Sequence, residues 1–463
     1  MRFLSTRGQA PEAGFIDVLL AGLAPDGGLY APTAWPKLTA EEIAALAGRP
    51  YAEVAADILA RFIGDELEVG ALAAICARAY ERFSHPATTP LTQLAPDRFL
   101  LELFHGPTLA FKDVAMQVLG GLFEHVLKRR GREMTIVAAT SGDTGGAAAA
   151  AFAGLEGVRL AVLFPEGRVS DVQRRFMTTT GADNVRCLAV AGDFDDCQTI
   201  LKALFADEGF ASETGLAAVN SINFARIAAQ SVYYFAAAVA LGAPSRRIAF
   251  AVPTGNFGDA YAGWAAQRMG LPIERIIVAT NANDIVARAL SRGDYRRGPA
   301  IATQSPAMDV QAASNFERLH FEYAGRGNHE TAEAFAAFAR TGTLPLPAAL
   351  REAMASVFSG ASASESGTMT AMRRTWESTG QLIDPHTAVA VAGAEGSPAL
   401  SAGTPLVILS TAHPAKFPEA VRAATGRTPP APPAAARLDG LTERFERLPA
   451  DVDAVKAYVR AWS

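Results

Sequence analysis

The chain has 463 residues, half of them hydrophobic and about a fifth charged, which indicates a globular protein long enough for more than one domain. A formal net charge of −5 excludes the basic footprint of a nucleic-acid-binding protein. No apolar run approaches the ~18 residues of a membrane span, and the N-terminus lacks the apolar core of a secretory signal, so we expect a cytoplasmic protein without a membrane partner.

Residues 1–90 are rich in helix-forming residues and predict a helical N-terminal domain. The segments TAEEIAALAG, AEVAADILARFIG and ALAAICARAYERF each carry apolar residues at helical spacing. The turn APDGGLYAP interrupts this region early, because Asp-Gly-Gly forces a bend.

From about Thr135 onward, apolar β-branched runs alternate with loops and helical patterns. The runs are TIVAAT, RLAVLF, NVRCLAV, LAAVN, RIAFAV and RIIVAT. This alternation predicts an α/β fold with a mainly parallel sheet covered by helices on both faces. In such sheets ligands bind beyond the carboxyl ends of the strands.

The last third of the chain is less regular. We expect an irregular insertion over about 281–375, followed by strand-like character in AVAVAG and PLVILSTAHPAKF. The proline-rich stretch TPPAPPAAA predicts a linker before a final helix, DVDAVKAYVRAW, so residues 426–463 form a separate terminal segment.

The loop PTGNFGD, residues 253–259, follows a predicted strand and opens a predicted helix. Gly255 and Gly258 allow backbone amides to converge on an anion, and phosphate is the natural ligand. The alternative is a tight strand-to-helix turn in which Asp259 only caps the helix.

A second glycine-rich loop, ATSGDTGG, is not a dinucleotide fingerprint, because Asp143 would repel a pyrophosphate. Ser141, Gly142 and Thr144 suit a small carboxylate instead, through amides and hydroxyls. The alternative is a capped helix start with Ser141 or Asp143 as the cap. The chain has no P-loop and no GxSxG, and its three cysteines and seven histidines show no metal-ligand spacing, so we expect reduced thiols and no metal site.

Lys112, in HGPTLAFKDVAMQ, stands out as a single lysine among apolar residues. Leu109, Ala110 and Phe111 would desolvate its ammonium group and favour the free amine that carbonyl chemistry requires. The alternative is a lysine that extends to water near a helix start, with Asp113 in the first turn. A reactive lysine, a phosphate loop and a carboxylate loop together suit an amino acid held on pyridoxal phosphate.

These motifs resemble the threonine synthase family, in its longer bacterial and fungal type, over nearly the whole chain. The resemblance implies a fold-type II pyridoxal-phosphate enzyme, similar to tryptophan synthase β, with two parallel-sheet α/β lobes and a helical N-terminal region. It also implies that residues 91–425 form the catalytic region. The similar segments lie in the family's order: GLAPDGGLYAP, FHGPTLAFKDVAMQ, ATSGDTGGAA, FPEGRVSDVQRRFMTT, NSINFARIAAQ, VPTGNFGDAYAG, DPHTAVAV and STAHPAKF.

The resemblance also implies roles for individual residues. Lys112 matches the lysine in Schiff-base linkage with pyridoxal 5'-phosphate. Thr411 matches the polar residue near the pyridine nitrogen, and Ser410 is the alternative. The residues that match the cofactor-phosphate loop are Gly255, Asn256, Phe257, Gly258 and Asp259. The residues that match substrate-binding positions are Ser141, Gly142, Asp143 and Thr144, with Thr108, Arg168, Arg226 and Lys416 as candidates for a substrate phosphate.

The implied reaction converts O-phospho-L-homoserine and water into L-threonine and phosphate, the last step of threonine biosynthesis, in a monomer or homodimer. One alternative is a dehydrating or β-replacing enzyme of the same fold, but related dehydratases usually carry Asn where Asp143 stands. Another is a catalytically silent binding protein, which the presence of Lys112 disfavours.

Overall fold

Three of the four N-terminal helices lie where the apolar spacing predicts them, and the first, over residues 15–21, was not predicted. The computed structural model describes residues 1–462. Thr39 and Glu42 form a capping box at the start of the second helix, which satisfies backbone N–H groups of the first turn. Three short strands, which the helical pattern did not predict, form a small antiparallel sheet beside these helices. The elements are β1 (Arg2–Ser5), β2 (Ala13–Gly14), α1 (Phe15–Ala21), β3 (Tyr30–Pro32), α2 (Ala40–Ala44), α3 (Tyr51–Ile63) and α4 (Val69–Glu81).

The middle of the chain alternates strand and helix, as the sequence predicts. Its elements are β4 (Leu91–Ala95), β5 (Arg98–Glu102), α5 (Lys112–Arg130), β6 (Met134–Ala139), α6 (Asp143–Phe152), β7 (Val158–Pro165), α7 (Asp171–Thr178), β8 (Val185–Ala191), α8 (Phe194–Ala206), α9 (Glu208–Thr214), β9 (Leu216–Ala217), α10 (Phe224–Ala240), β10 (Ile248–Pro253), α11 (Gly258–Arg268) and β11 (Ile273–Thr280).

The remainder of the chain is mostly helical. Its elements are α12 (Ile285–Arg292), β12 (Asp294–Arg296), α13 (Phe316–Tyr323), α14 (Asn328–Thr341), β13 (Thr343–Pro345), α15 (Ala348–Ala355), β14 (Phe358–Ser362), α16 (Glu365–Thr379), α17 (Pro385–Glu395), β15 (Leu406–Ser410), α18 (Pro418–Thr425), α19 (Pro433–Ala436), β16 (Glu446–Pro449) and α20 (Val452–Trp462). Within residues 1–462 no helix is long and apolar enough to cross a membrane.

Two separate sheets organise the chain into two α/β lobes. The smaller has the order β16-β8-β7-β6-β9 and is parallel throughout. The larger has the order β14-β11-β10-β15-β5-β4 and is parallel except for the edge pair β4–β5. The predicted α/β class with two parallel-sheet lobes is therefore confirmed.

The segment AVAVAG is part of helix α17, and its strand-like prediction was wrong. Asp384 caps the helix by accepting hydrogen bonds from the N–H groups of His386 and Thr387, and Pro385 occupies the first helical position. The helix is buried around most of its circumference, so its sequence shows no polar face. A fully buried apolar run does not distinguish a helix from a strand by periodicity alone.

Two segments hold more regular structure than predicted. Residues 281–375 contribute β14, which extends the larger sheet by pairing in parallel with β11. The terminal segment, 426–463, contributes β16, which pairs in parallel with β8. The predicted final helix, α20, buries Val455 and Val459 against the smaller lobe.

Candidate active site

The residues predicted for cofactor and substrate lie around one large cavity. Its volume is about 1230 Å³, and its walls include the loops that follow β6, β10 and β15. This position matches the rule that ligands bind at the carboxyl ends of parallel strands. Predicted site residues that line it are Lys112, Ser141, Asp143, Thr144, Arg226, Gly255, Asn256, Phe257, Gly258, Asp259 and Thr411.

Backbone contacts bring the Lys112 loop to the end of β15. The N–H of Phe111 donates to the carbonyl of Thr411 at 2.8 Å, and the N–H of His413 donates to the carbonyl of Leu109 at 3.0 Å. Ala110 and Ala412 form an antiparallel bridge between these contacts. The lysine loop and the predicted pyridine partner, Thr411, are therefore held as one unit although about 300 residues separate them.

Lys112 begins helix α5 and is only 9% exposed, so its amine does not extend into bulk water. Its Nζ lies 3.6 Å from Oδ2 of Asp143 and 4.5 Å from the centre of the Phe111 ring. Burial lowers the pKa of Lys112; Arg226 and Lys416 add to this effect, whereas Asp143 opposes it. The structure thus favours the reactive amine over the water-exposed alternative.

The phosphate loop packs tightly against its neighbours. A Cβ on Gly255 would lie 2.8 Å from the carbonyl oxygen of Ala307 and 3.1 Å from Cα of Met308, so the loop admits no side chain there. Phe257 adopts a left-handed conformation, with φ of 63°, directly before α11. The backbone amides at the start of this helix are a ready anion site beside the cavity.

Asp259 is not the helix cap that the alternative interpretation required. Its Oδ1 accepts hydrogen bonds from the hydroxyls of Tyr233 and Tyr234. Asp259 also lines the cavity. Burial raises the pKa of Asp259 to about 6, although the two tyrosines and nearby cations oppose the rise.

The 141–144 loop is shaped by Thr140, whose hydroxyl accepts hydrogen bonds from the N–H groups of Gly142 and Gly145. Gly142 has φ of 135° and, unlike Ser141, Asp143 and Thr144, does not line the cavity. Asp143 does not cap α6; its Oδ1 pairs with Nζ of Lys416 at 2.6 Å and accepts from Nε2 of Gln173 at 2.9 Å. Although burial opposes its charge, Lys416 and Lys112 hold the pKa of Asp143 well below its ordinary value.

Thr411 and Ser410 face different surroundings. Thr411 lines the cavity, whereas Ser410 does not and has its hydroxyl 3.1 Å from that of Thr387. The geometry therefore favours Thr411 as the residue available to a cofactor ring.

The candidates for the substrate phosphate divide into those inside and outside the cavity. Thr108 donates its hydroxyl and N–H to Asp113 and does not line the cavity. Lys416 is engaged with Asp143, and Arg168 lies on the exposed surface. Arg226 lines the cavity, is 3% exposed, and has a pKa that burial lowers to about 10. Only this candidate among the four presents a cation to the cavity.

Three buried polar atoms with no hydrogen-bond partner among residues 1–462 belong to residues that line the cavity. They are Asn220 Oδ1, Arg226 Nε and Asp259 Oδ2. Buried polar groups are normally paired, so these atoms indicate space for a polar ligand. A buried amine, an amide-rich loop and unpaired polar atoms fit a phosphorylated aldehyde such as pyridoxal phosphate.

Sequence reasoning missed three residues at the site. Asn220 and His386 line the cavity, and Nδ1 of His386 lies 2.8 Å from Asp384. Gln173 orients Asp143 from helix α7. Asn220 and His386 lie inside segments already noted for their resemblance, NSINFAR and DPHT, which was the available signal.

Comparison with known proteins identifies the family. Residues 2–80 match the family described as threonine synthase N terminus, 84–355 that of pyridoxal-phosphate dependent enzymes, and 387–459 that of threonine synthase, C-terminal. The curated threonine synthase of Pseudomonas aeruginosa is 48% identical, over 99% of this chain and 98% of that protein.

Solved structures agree with the sequence relatives. The crystal structure of threonine synthase from Brucella melitensis with pyridoxal phosphate bound is 47% identical, with a TM-score of 0.96 over 100% of this chain and 99% of that one. The yeast threonine synthase structure is 36% identical, with a TM-score of 0.92 over 100% and 98%. The chain therefore belongs to the threonine synthase family of pyridoxal-phosphate-dependent enzymes.

Proposed function

We propose that the chain converts O-phospho-L-homoserine and water into L-threonine and phosphate by γ-elimination followed by addition of water at Cβ. The observation that carries this proposal is that the buried amine of Lys112, the glycine loop before Asp259 and the 141–144 loop open into the same cavity. One cavity then accommodates a phosphorylated cofactor beside a small anionic amino acid.

Each group of residues has a distinct task in this proposal. The amides of residues 255–259 would bind the cofactor phosphate, and Lys112 would hold the cofactor aldehyde. The Thr411 hydroxyl, which lines the cavity, would be the partner of the cofactor's pyridine nitrogen, and because a hydroxyl is not an acid it would leave that nitrogen unprotonated. The cofactor, when bound, stabilises negative charge that develops on the substrate carbons.

The remaining residues position the substrate and move its protons. The substrate amino group would take the place of Lys112 on the cofactor aldehyde, and the freed Lys112 amine would remove the proton from Cα of the substrate and later return a proton there. Burial, which lowers the pKa of Lys112, favours this free amine. The 141–144 loop binds the substrate carboxylate. Arg226, a buried cation on the cavity wall, attracts an anionic group of the substrate.

The test is to incubate the protein with O-phospho-L-homoserine and measure phosphate and threonine together. The wild-type protein is expected to release both in equal amounts, and Lys112→Ala to release neither. Lys128→Ala is the matched control, because Lys128 lies on the same helix and is exposed. A keto acid with ammonia would indicate a dehydratase, and threonine formation by Lys112→Ala would refute the role of Lys112.

A further inference from the structure

Two lysines share one carboxylate at the edge of the cavity. Nζ of Lys416 lies 2.6 Å from Oδ1 of Asp143 and donates a hydrogen bond to the carbonyl of Thr108 at 2.8 Å. Nζ of Lys112 lies 3.6 Å from the other oxygen of Asp143. The carboxylate is therefore committed to Lys416, and its contact with Lys112 is the weaker of the two.

Lys416 does not reach the cavity. It is 1% exposed, lies in the short 3-10 turn Pro414–Lys416, and is not part of the cavity wall. Gln173, on helix α7, donates a hydrogen bond to the same oxygen of Asp143. Lys416 therefore contacts Asp143 but is not placed to touch a ligand in the cavity.

We propose that Lys416 is a positioning residue that occupies the Asp143 carboxylate and so leaves the Lys112 amine free to react. The inference rests on the proposed role of Lys112 as the residue that holds the cofactor. Lys416 is then a fixed positive charge that balances the Asp143 carboxylate, and not a ligand of the substrate phosphate.

The charged groups around Lys112 and Asp143 determine the direction in which each substitution shifts the pKa of Lys112. Lys112 faces Asp143 on α6, Arg226 on α10, Asp259 on α11 and the buried Lys416. If Lys416 is removed, Asp143 loses its short partner and becomes available to hold Lys112 as an ammonium ion. If Asp143 is neutralised, cations dominate the surroundings of Lys112 and favour its free amine.

Two other titratable groups lie near Lys416. Asp113 and His413 lie within its electrostatic reach. Burial lowers the pKa of His413 to about 4, so this ring is neutral near pH 7 and does not compete for Asp143. Burial raises the pKa of Asp113 to about 6, and its carboxylate is held by Thr108.

The experiment measures the rate at which the full chain takes up pyridoxal phosphate covalently, by absorbance, as a function of pH. Uptake requires the free amine of Lys112, so the midpoint of the rate profile reports its protonation. The variants are Lys416→Met, Asp143→Asn and the charge-conserving Lys416→Arg. Lys456→Met is the matched control, because Lys456 pairs with Asp207 at the same 2.6 Å and neither residue lines the cavity.

The proposal predicts opposite displacements of the midpoint. Lys416→Met moves it to higher pH and slows uptake at neutral pH by on the order of tenfold, since one opposite charge shifts a pKa by about one unit or more. Asp143→Asn moves it to lower pH, whereas Lys416→Arg and Lys456→Met keep the wild-type midpoint.

Displacement of both midpoints in one direction, or no displacement, would overturn the proposal. So would a Lys416→Met protein that only raises KM for O-phospho-L-homoserine. If Lys416→Met does not fold, Asp143→Asn tests the proposal, because the midpoint of its uptake profile must move to lower pH. The uptake assay contains no substrate, so a failure here is distinguishable from a failure of the proposed reaction.

Discussion

Replacing Gly255 by alanine is expected to weaken cofactor binding without unfolding the protein. The new methyl group would lie 2.8 Å from the Ala307 carbonyl oxygen and 3.1 Å from Cα of Met308, both of which are backbone atoms. Overpacking of this kind costs about 1–3 kcal/mol. Relief of this contact requires the loop and residues 307–308 to move apart, which displaces the amides that would bind the phosphate, so the cost falls on affinity.

The expected result is a dissociation constant for pyridoxal phosphate about 5–150-fold higher, which is that cost converted at 1.4 kcal/mol per tenfold. Equilibrium dialysis with absorbance detection measures it. Gly70→Ala is the matched control, because nothing lies within 4 Å of its added methyl group at the start of helix α4, and it should keep the wild-type affinity. Wild-type affinity in Gly255→Ala would refute the assignment of this loop to the phosphate.

Two further predictions concern the choice between Thr411 and Ser410 and the pH dependence of stability. Thr411→Val should slow threonine formation about 2–10-fold, because one hydrogen bond is lost. Ser410→Ala should leave the rate unchanged, because the Ser410 hydroxyl contacts Thr387 outside the cavity. Equal effects of the two substitutions would contradict the choice of Thr411. Because burial raises the pKa of Asp259 from 3.8 to about 6, the folded state retains this proton and the cofactor-free protein loses stability as pH rises between those values. Asp259→Asn lacks that loss, so its free energy of unfolding relative to wild type should increase by about 2 kcal/mol between pH 4 and pH 7. Urea unfolding at both pH values checks this, and a constant difference would show that Asp259 is not held in its protonated form.

The sequence was sufficient for the features that depend on local pattern. Strand-loop-helix alternation predicted the α/β class with a mainly parallel sheet, and the resemblance of long motifs predicted the two lobes, the family and the cofactor. The apolar residues before Lys112 predicted a desolvated amine, and the structure places it in the cavity wall.

The features that sequence reasoning missed depend on contacts between distant residues. The ion pair of Asp143 with Lys416 joins positions more than 250 residues apart. Strand β16 becomes a strand only because β8 offers a free edge. In each case the deciding interaction is tertiary, and no local propensity reports it.

The most direct test of the central claim is to load the protein with pyridoxal phosphate, reduce it with borohydride, digest it and map the labelled peptide by mass spectrometry. The buried amine that shares a cavity with the glycine loop predicts a single pyridoxyl group on Lys112. A label on Lys416 or on any other lysine, with Lys112 unmodified, would contradict the account.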